Sequence, residues 1–308
     1  MKKAFLGIDT SCYRTSAALY FEDGSYKSLR RLLKTPEGSL GLRQSDAVFM
    51  HIKELPSVLE ELFSEKVELL AVGVSVSPTE EEGSYMPVFF SGMLSASSIA
   101  SSLNIPLYKF SHQQGHIRAA LVGNEKPEFP FLAFHISGGT TECLEVSENF
   151  ICRPLSKSLD LKAGQAIDRI GVKMGYPFPS GAYLEEIAEK SDKTFKIKPF
   201  IKNGCPSLSG VQNQCEKMLS ENQPREDIAK YLFSYIGSVI LEMRKYYPEY
   251  KEIVYSGGVS ENKIIREMLK EEGAVFSENG LSGDNAVGIA ALAGDLYGKN
   301  TNNGCPTE

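Results

Sequence analysis

The segment "AFLGIDTSCYRTSAALYFEDG" (4–24) is an apolar run, a Ser/Thr-rich turn and a second, alternating run. The segment "PFLAFHISGGTTECLEVSEN" (130–149) repeats that order: apolar run, small-residue turn, alternating run. Each reads as a β-hairpin, because short runs rich in β-branched and aromatic residues, bounded by turn formers, favour extended pairing. A third apolar strand with a glycine turn, "EIVYSGGVSEN" (252–262), leads into the helical pattern "NKIIREMLKEEG". Helical periodicity recurs at roughly 45–63, 89–103, 111–122, 162–174, 181–191, 226–246, 260–272 and 284–297, with Pro56 expected to interrupt the first. A hairpin-led strand set that occurs twice, with helices between, predicts an α/β protein of two similar lobes around a ligand-binding cleft. The turn formers of "VGNEKPEFP" (122–130) place the boundary, with a first lobe over 1–127 and a second over 128–285. The apolar last helix, about 286–308, is expected to pack back on the first lobe.

At 308 residues the chain is too long for one simple core, which agrees with two lobes. Six cysteines (12, 143, 152, 205, 215 and 305) stand without CxxC spacing, which argues against a disulfide framework and for a reducing compartment. No apolar run approaches membrane-spanning length, and "MKKAFLGIDTSC" holds too few apolar residues for a secretory core. A cytoplasmic protein without a membrane partner is therefore expected. The net charge is −6, whereas a chain that grips nucleic acid alone carries a basic face. Any RNA substrate would then be held with help from other subunits. The basic stretches at 26–34 and 193–202 read as solvated faces.

"SGG" occurs at 137–139 and 256–258, each time directly after an apolar strand. Such turns let a backbone approach a ligand and offer N–H groups to a phosphate. "DTSCYRT" (9–15) is a third candidate phosphate-facing turn. Asp168 in "AGQAIDRIG" and Glu185 in "PSGAYLEE" are placed to accept from ribose hydroxyls. His112 and His116 are two of only four histidines and stand four apart in a helical stretch, so both imidazoles lie on one face and can share a metal. Gln113 and Gln114 follow His112 where a zinc protease carries its glutamate, and an amide cannot take a proton from water. A metal here would act as a Lewis acid, zinc and iron suiting the donors equally. Asp284, at a turn before the last helix, is a candidate third ligand.

Taken in order, "LGIDTSC", "HQQGH", "FPFLAFHISGG", "AGQAIDRIG", "YPFPSG", "PSLSG", "YSGGVSENK" and "GDN" cover almost the whole chain. With them the sequence resembles the TsaD family of tRNA threonylcarbamoyladenosine transferases, within the actin-like, sugar-kinase-like ATPase superfamily. The resemblance implies metal ligation by His112, His116 and Asp284. It implies nucleotide or acyl-adenylate contacts from His135, Ile136, Ser137, Gly138, Gly139, Asp168, Gly181, Glu185 and Asn262. ATP, AMP or an acyl-adenylate would be the ligand, beside one divalent metal. The implied reaction moves a threonylcarbamoyl group from threonylcarbamoyl-AMP to N6 of adenosine 37 in tRNA. Partner subunits are implied too, with a homo- or heterodimer formed through the first lobe. Asp9, Tyr13 and Arg14 occupy the catalytic turn, and Tyr13 and Arg14 stand where the family carries an acidic pair. "PTEEEGSYMP" (78–87) replaces the family's Gly-Pro-Gly-Leu loop, and Thr140 stands in place of a histidine. These departures keep two alternatives open: a carbamoyl or acyl transferase with another acceptor, and a nucleotide-binding scaffold subunit.

Overall fold

The computed structural model describes residues 1–11, 13–34, 42–277, 280–281 and 285–302. Its described residues fall into two compact units. The first comprises those up to Glu125, Asn149–Ile151 and those from Ser277 onward; the second comprises Lys126–Glu148 and Cys152–Phe276.

The first unit contains β1 (Lys2–Asp9), β2 (Arg14–Phe21), β3 (Tyr26–Leu32), α1 (Gln44–Leu62), β4 (Val67–Ser77), α2 (Phe89–Leu103), β5 (Leu107–Ser111) and α3 (His112–Ala119). Its sheet runs β3-β2-β1-β4-β5, with β1–β2 and β2–β3 antiparallel and β1–β4 and β4–β5 parallel. The second unit contains β6 (Phe131–Ile136), β7 (Thr141–Ser147), β8 (Ile151–Lys157), α4 (Ala163–Lys173), α5 (Gly181–Ala188), β9 (Ile201–Lys202), β10 (Cys205–Pro206), α6 (Ser209–Ser220), α7 (Arg225–Arg244), β11 (Ile253–Ser256), α8 (Lys263–Met268) and β12 (Ala274–Phe276). The chain ends with α9 (Asn285–Asn302), which belongs to the first unit. The second sheet runs β12-β11-β6-β7-β8, with β6–β7 antiparallel and β6–β11 and β11–β12 parallel. Read from the other edge, it repeats the first: three strands led by a hairpin, then two parallel additions.

The central strands are apolar on both faces because helices cover both. In the first unit Leu6, Ile8 and Val74 pack with Leu55, Val58 and Ala96 of α1 and α2, while Ala18 packs with Ala286, Val287 and Ala291 of α9. In the second unit Phe134, Tyr255 and Phe276 stack across β6, β11 and β12, with ring centroids 5.4 and 4.9 Å apart. Helices α4 to α7 close the core around Ile167, Leu184, Val211 and Leu232.

Three features differ from the sequence reading. Helix α1 continues through Pro56 rather than breaking there. The missing proline amide would have bonded the carbonyl of Ile52, and both Ile52 and Pro56 lie on the exposed side of the helix, where water has access. The helix expected over 260–272 is the short α8; Asn262 caps it by accepting from Ile265 N, and the chain then turns into β12. Helix α6 was not expected at all. Its buried residues Val211, Cys215 and Met218 are helically spaced but sit among Gln, Asn and Ser.

Candidate active site

In the first unit β1 delivers a buried carboxylate, Asp9, to the edge of α3. Ser75 on β4 donates to Asp9 Oδ1, and Ser11 donates to Oδ2 at 3.1 Å. Asn285, which opens α9, donates its Nδ2 to the same Oδ2 at 3.0 Å. His112 Nδ1 lies 2.8 Å from Oδ2. Burial opposes ionisation of Asp9. The charge of His112 and hydrogen bonds from His112, Ser75 and Asn285 outweigh it and hold the carboxyl well below the usual carboxylate range. An ionised carboxylate only accepts, so the contact with Asp9 requires a proton on His112 Nδ1, and in the neutral ring that leaves the lone pair on Nε2.

Helix α3 begins in a capping box. Ser111 Oγ accepts from Gln114 N at 3.1 Å, and Gln114 Oε1 accepts from Ser111 N at 2.6 Å. Gln114 therefore serves the helix start. Gln113 is buried, and its backbone N–H donates to the carbonyl of Pro78 in the loop 78–87. The cap fixes the first turn, and the turn sets the histidine pair: His112 Nε2 and His116 Nε2 stand 3.0 Å apart. Two imidazole nitrogens bound to one ion at about 2.0–2.1 Å lie about 3 Å apart. The donor set fits a divalent metal: two converging imidazoles, one held in the ligating tautomer by a buried carboxylate. Asp284, the third ligand expected from sequence, lies outside the described residues.

The position of α3 depends on two glycines. A Cβ on Gly288 of α9 would sit 1.9 Å from the carbonyl oxygen of Gly115, and a Cβ on Gly115 would sit 2.3 Å from Asn285 Oδ1. Without side chains there, α9 lies close enough for Asn285 to reach Asp9. Tyr13 and Arg14 are exposed at the turn into β2, where the Tyr13 carbonyl accepts from Leu33 N at 2.8 Å.

In the second unit the residues drawn from the resemblance join in a line of contacts. Ser137 Oγ accepts from the amides of Gly139 and Thr140 at 3.2 and 3.1 Å, so two of the turn's N–H groups are used by the turn itself. The Gly138 N–H has no acceptor among the described residues, and Gly138 and Gly139 border open space. Thr140 Oγ1 contacts Ser137 Oγ at 2.7 Å and the buried His135 Nδ1 at 3.3 Å. Ser137 O and Thr141 Oγ1 accept from the first amides of α4, Gly164 N and Ala163 N. Further along α4, Asp168 Oδ1 accepts from Ser180 N at 2.8 Å, just before Gly181 opens α5. Burial raises the Asp168 pKa, and the Ser180 amide opposes that rise. On α5, Glu185 Oε1 accepts from Lys263 N at 2.7 Å, beside the buried Asn262. The second glycine turn meets the first: Gly257 holds φ +88°, and a Cβ there would sit 2.4 Å from the carbonyl oxygen of Ile136.

Sequence reading found the histidine pair and the turns but missed Ser75, which carries no motif. It also missed Asn285, hidden inside the quoted "GDN".

Comparison with known proteins places the fold and the family. Among solved structures the chain is similar to HypF of T. kodakarensis (TM-score 0.61, 14% identity, covering 97% of this chain and 48% of that one). It is also similar to a ROK family glucokinase from Streptomyces griseus (TM-score 0.52, 11% identity, covering 95% and 99%). These likenesses show the fold, that of actin-like ATPases and sugar kinases. Among curated proteins it is 29% identical to the tRNA N6-adenosine threonylcarbamoyltransferase of Dichelobacter nodosus, covering 94% of this chain and 90% of that protein. It is 29% identical to the enzyme of the same description from Christiangramia forsetii, covering 86% and 83%. The family model for TsaD, tRNA N6-adenosine threonylcarbamoyltransferase, matches residues 40–291, and the chain belongs to that family.

Proposed function

We propose that the chain transfers a threonylcarbamoyl group from threonylcarbamoyl-AMP to N6 of adenosine 37 in tRNA, using one divalent metal, iron or zinc, held by His112, His116 and Asp284. The observation that carries this reading is the aim of His112 Nε2 and His116 Nε2 at one point, 3.0 Å apart, in front of a buried carboxylate. When bound, such an ion supplies Lewis-acid polarisation of the donor's carbamoyl or phosphate oxygens. Asp9 keeps the proton of His112 on Nδ1, and Ser75, Ser11 and Asn285 keep Asp9 in place. In the second unit the Ser137–Gly139 turn is the element for the adenylate, and the second oxygens of Asp168 and Glu185 serve ribose hydroxyls. The N6 amine attacks the carbamoyl carbon, the anhydride C–O bond breaks, AMP leaves with its electron pair, and the proton lost from N6 passes to solvent.

A net charge of −6 fits a cytoplasmic enzyme that holds tRNA jointly with partner subunits. We assign the partner subunit to the face of α1 and α2, where the exposed Ile52, Phe90 and Leu94 line a groove of about 380 Å³. Tyr13 and Arg14 favour a second reading, in which the acceptor differs. Neither side chain is a base near neutral pH, and a guanidinium pairs readily with a carboxylate or phosphate.

The test is a transfer assay with threonylcarbamoyl-AMP, unmodified tRNA and the pathway's partner proteins, read by mass spectrometry of the nucleosides. Modified adenosine is expected from the natural chain, reduced at least about 100-fold in His116→Ala. Absence of product from a chain that still binds metal and AMP would move the conclusion to the second reading.

A further inference from the structure

From Lys193 to Cys215 the sequence carries four lysines and no acidic residue, in a chain whose net charge is −6. The structure gives this stretch a definite surface. Phe195, Ile197, Pro199 and Ile201 are half-buried, while Lys196, Lys198, Phe200 and Lys202 between them are exposed. The inward residues are anchored: Phe195 meets the Tyr231 ring edge-on at 5.2 Å, and Ile197 and Ile201 pack on the second unit's core. The backbone is tied too, with Phe200 N donating to Tyr235 Oη and Phe200 O accepting from Ser207 N. Lys173, Lys190, Lys217, Lys245, Lys263 and Lys270 of the same unit each pair with a glutamate, and Lys193 pairs with Asp227. Lys196, Lys198 and Lys202 have no acidic partner among the described residues.

We infer that Lys196, Lys198, Phe200 and Lys202 form a contact strip for the sugar–phosphate backbone and an unstacked base of the tRNA. Outward residues two apart in an extended chain stand about 6.6 Å apart, a step comparable to that between successive phosphates of one strand. Unpaired ammonium groups release counterions when they meet phosphates, and an exposed ring among them offers a stacking face. Phe200, 60% exposed, has the position such a platform needs. Anchoring by Phe195, Ile197 and Ile201 means that little backbone freedom is lost on binding. The inference rests on the tRNA reading above and adds the surface that would grip it.

The test is filter retention of unmodified tRNA, with the partner subunits present, across a salt series. AMP binding serves as the control for a folded second unit. The triple variant Lys196→Ala/Lys198→Ala/Lys202→Ala is expected to bind tRNA at least about 10-fold more weakly, with the log–log salt slope smaller by about 2 to 3. Phe200→Ala is expected to lose about 5-fold or more with the slope unchanged. AMP binding should not change in either. Retention by the triple variant with natural affinity and slope would overturn the strip while leaving the tRNA reading intact. Failure of the natural chain to retain tRNA would overturn the tRNA reading and the strip together.

Discussion

Asp9→Ala is expected to lose about 3–5 kcal/mol of folding stability and to bind zinc about 10- to 100-fold more weakly than the natural chain. The carboxylate accepts from Ser75, Ser11, Asn285 and His112 in a site that is almost fully buried. Its removal leaves those donors facing an apolar methyl group, and each unpaired buried donor costs free energy. It also frees the His112 proton to move to Nε2, the nitrogen that faces His116. Asp9→Asn keeps the shape and one acceptor oxygen, so it should recover part of the stability and less of the metal affinity. The pKa of Asp9 is lowered in the folded chain, so its stabilisation is fully present above the ordinary carboxylate range and is lost only as pH falls below that range. Denaturant unfolding and zinc titration of the purified chain measure both effects. A folded Asp9→Ala with undiminished zinc affinity would remove Asp9 from the proposed metal site.

Gly288→Ala is expected to destabilise the first unit by about 3 kcal/mol or more, among the largest effects of a single methyl group. The added carbon would lie 1.9 Å from the Gly115 carbonyl oxygen and 2.8 Å from Ala119 N, and both of those atoms are backbone. Relief requires α9 to move away from α3. That movement would carry Asn285 off Asp9 and change the setting of the histidine pair. Gly298→Ala on the same helix meets nothing within 4 Å and is the control; it should leave the chain as stable as the natural one. Thermal unfolding of both variants checks this, and equal transitions would mean that the α3–α9 contact has slack the structure does not show.

The parts of this account legible in the sequence are those that local physics writes in order along the chain. The hairpins at 4–24 and 130–149 show as an apolar run, a small-residue turn and a second run, and the structure pairs them as β1–β2 and β6–β7. The histidines show as an i, i+4 pair because a helix turns once in that span. Helix α6 did not show, because its buried residues Val211, Cys215 and Met218 are outnumbered by Gln, Asn, Glu, Lys and Ser. Pro56 misled because a proline's effect depends on whether the carbonyl it leaves unbonded is exposed, which periodicity does not reveal. The support of the histidine pair was not legible either. Asp9, Ser75, His112 and Asn285 come from four separate stretches, and only the parallel pairing of β1 with β4 and the packing of α9 bring them together. In the second unit, the use of Ser137 Oγ to hold the amides of its own turn could not be read from "SGG", which left every N–H open in principle.

The most direct test of the central claim is the metal content and coordination of the purified chain, by elemental analysis and X-ray absorption, for the natural sequence and for His112→Ala and His116→Ala. The account predicts one iron or zinc per chain with two imidazole nitrogens in its shell, lost in both variants while AMP binding in the second unit persists. A natural chain that gains no metal when offered either ion, or variants that keep it with unchanged coordination, would contradict the assignment of His112 and His116 as a metal centre.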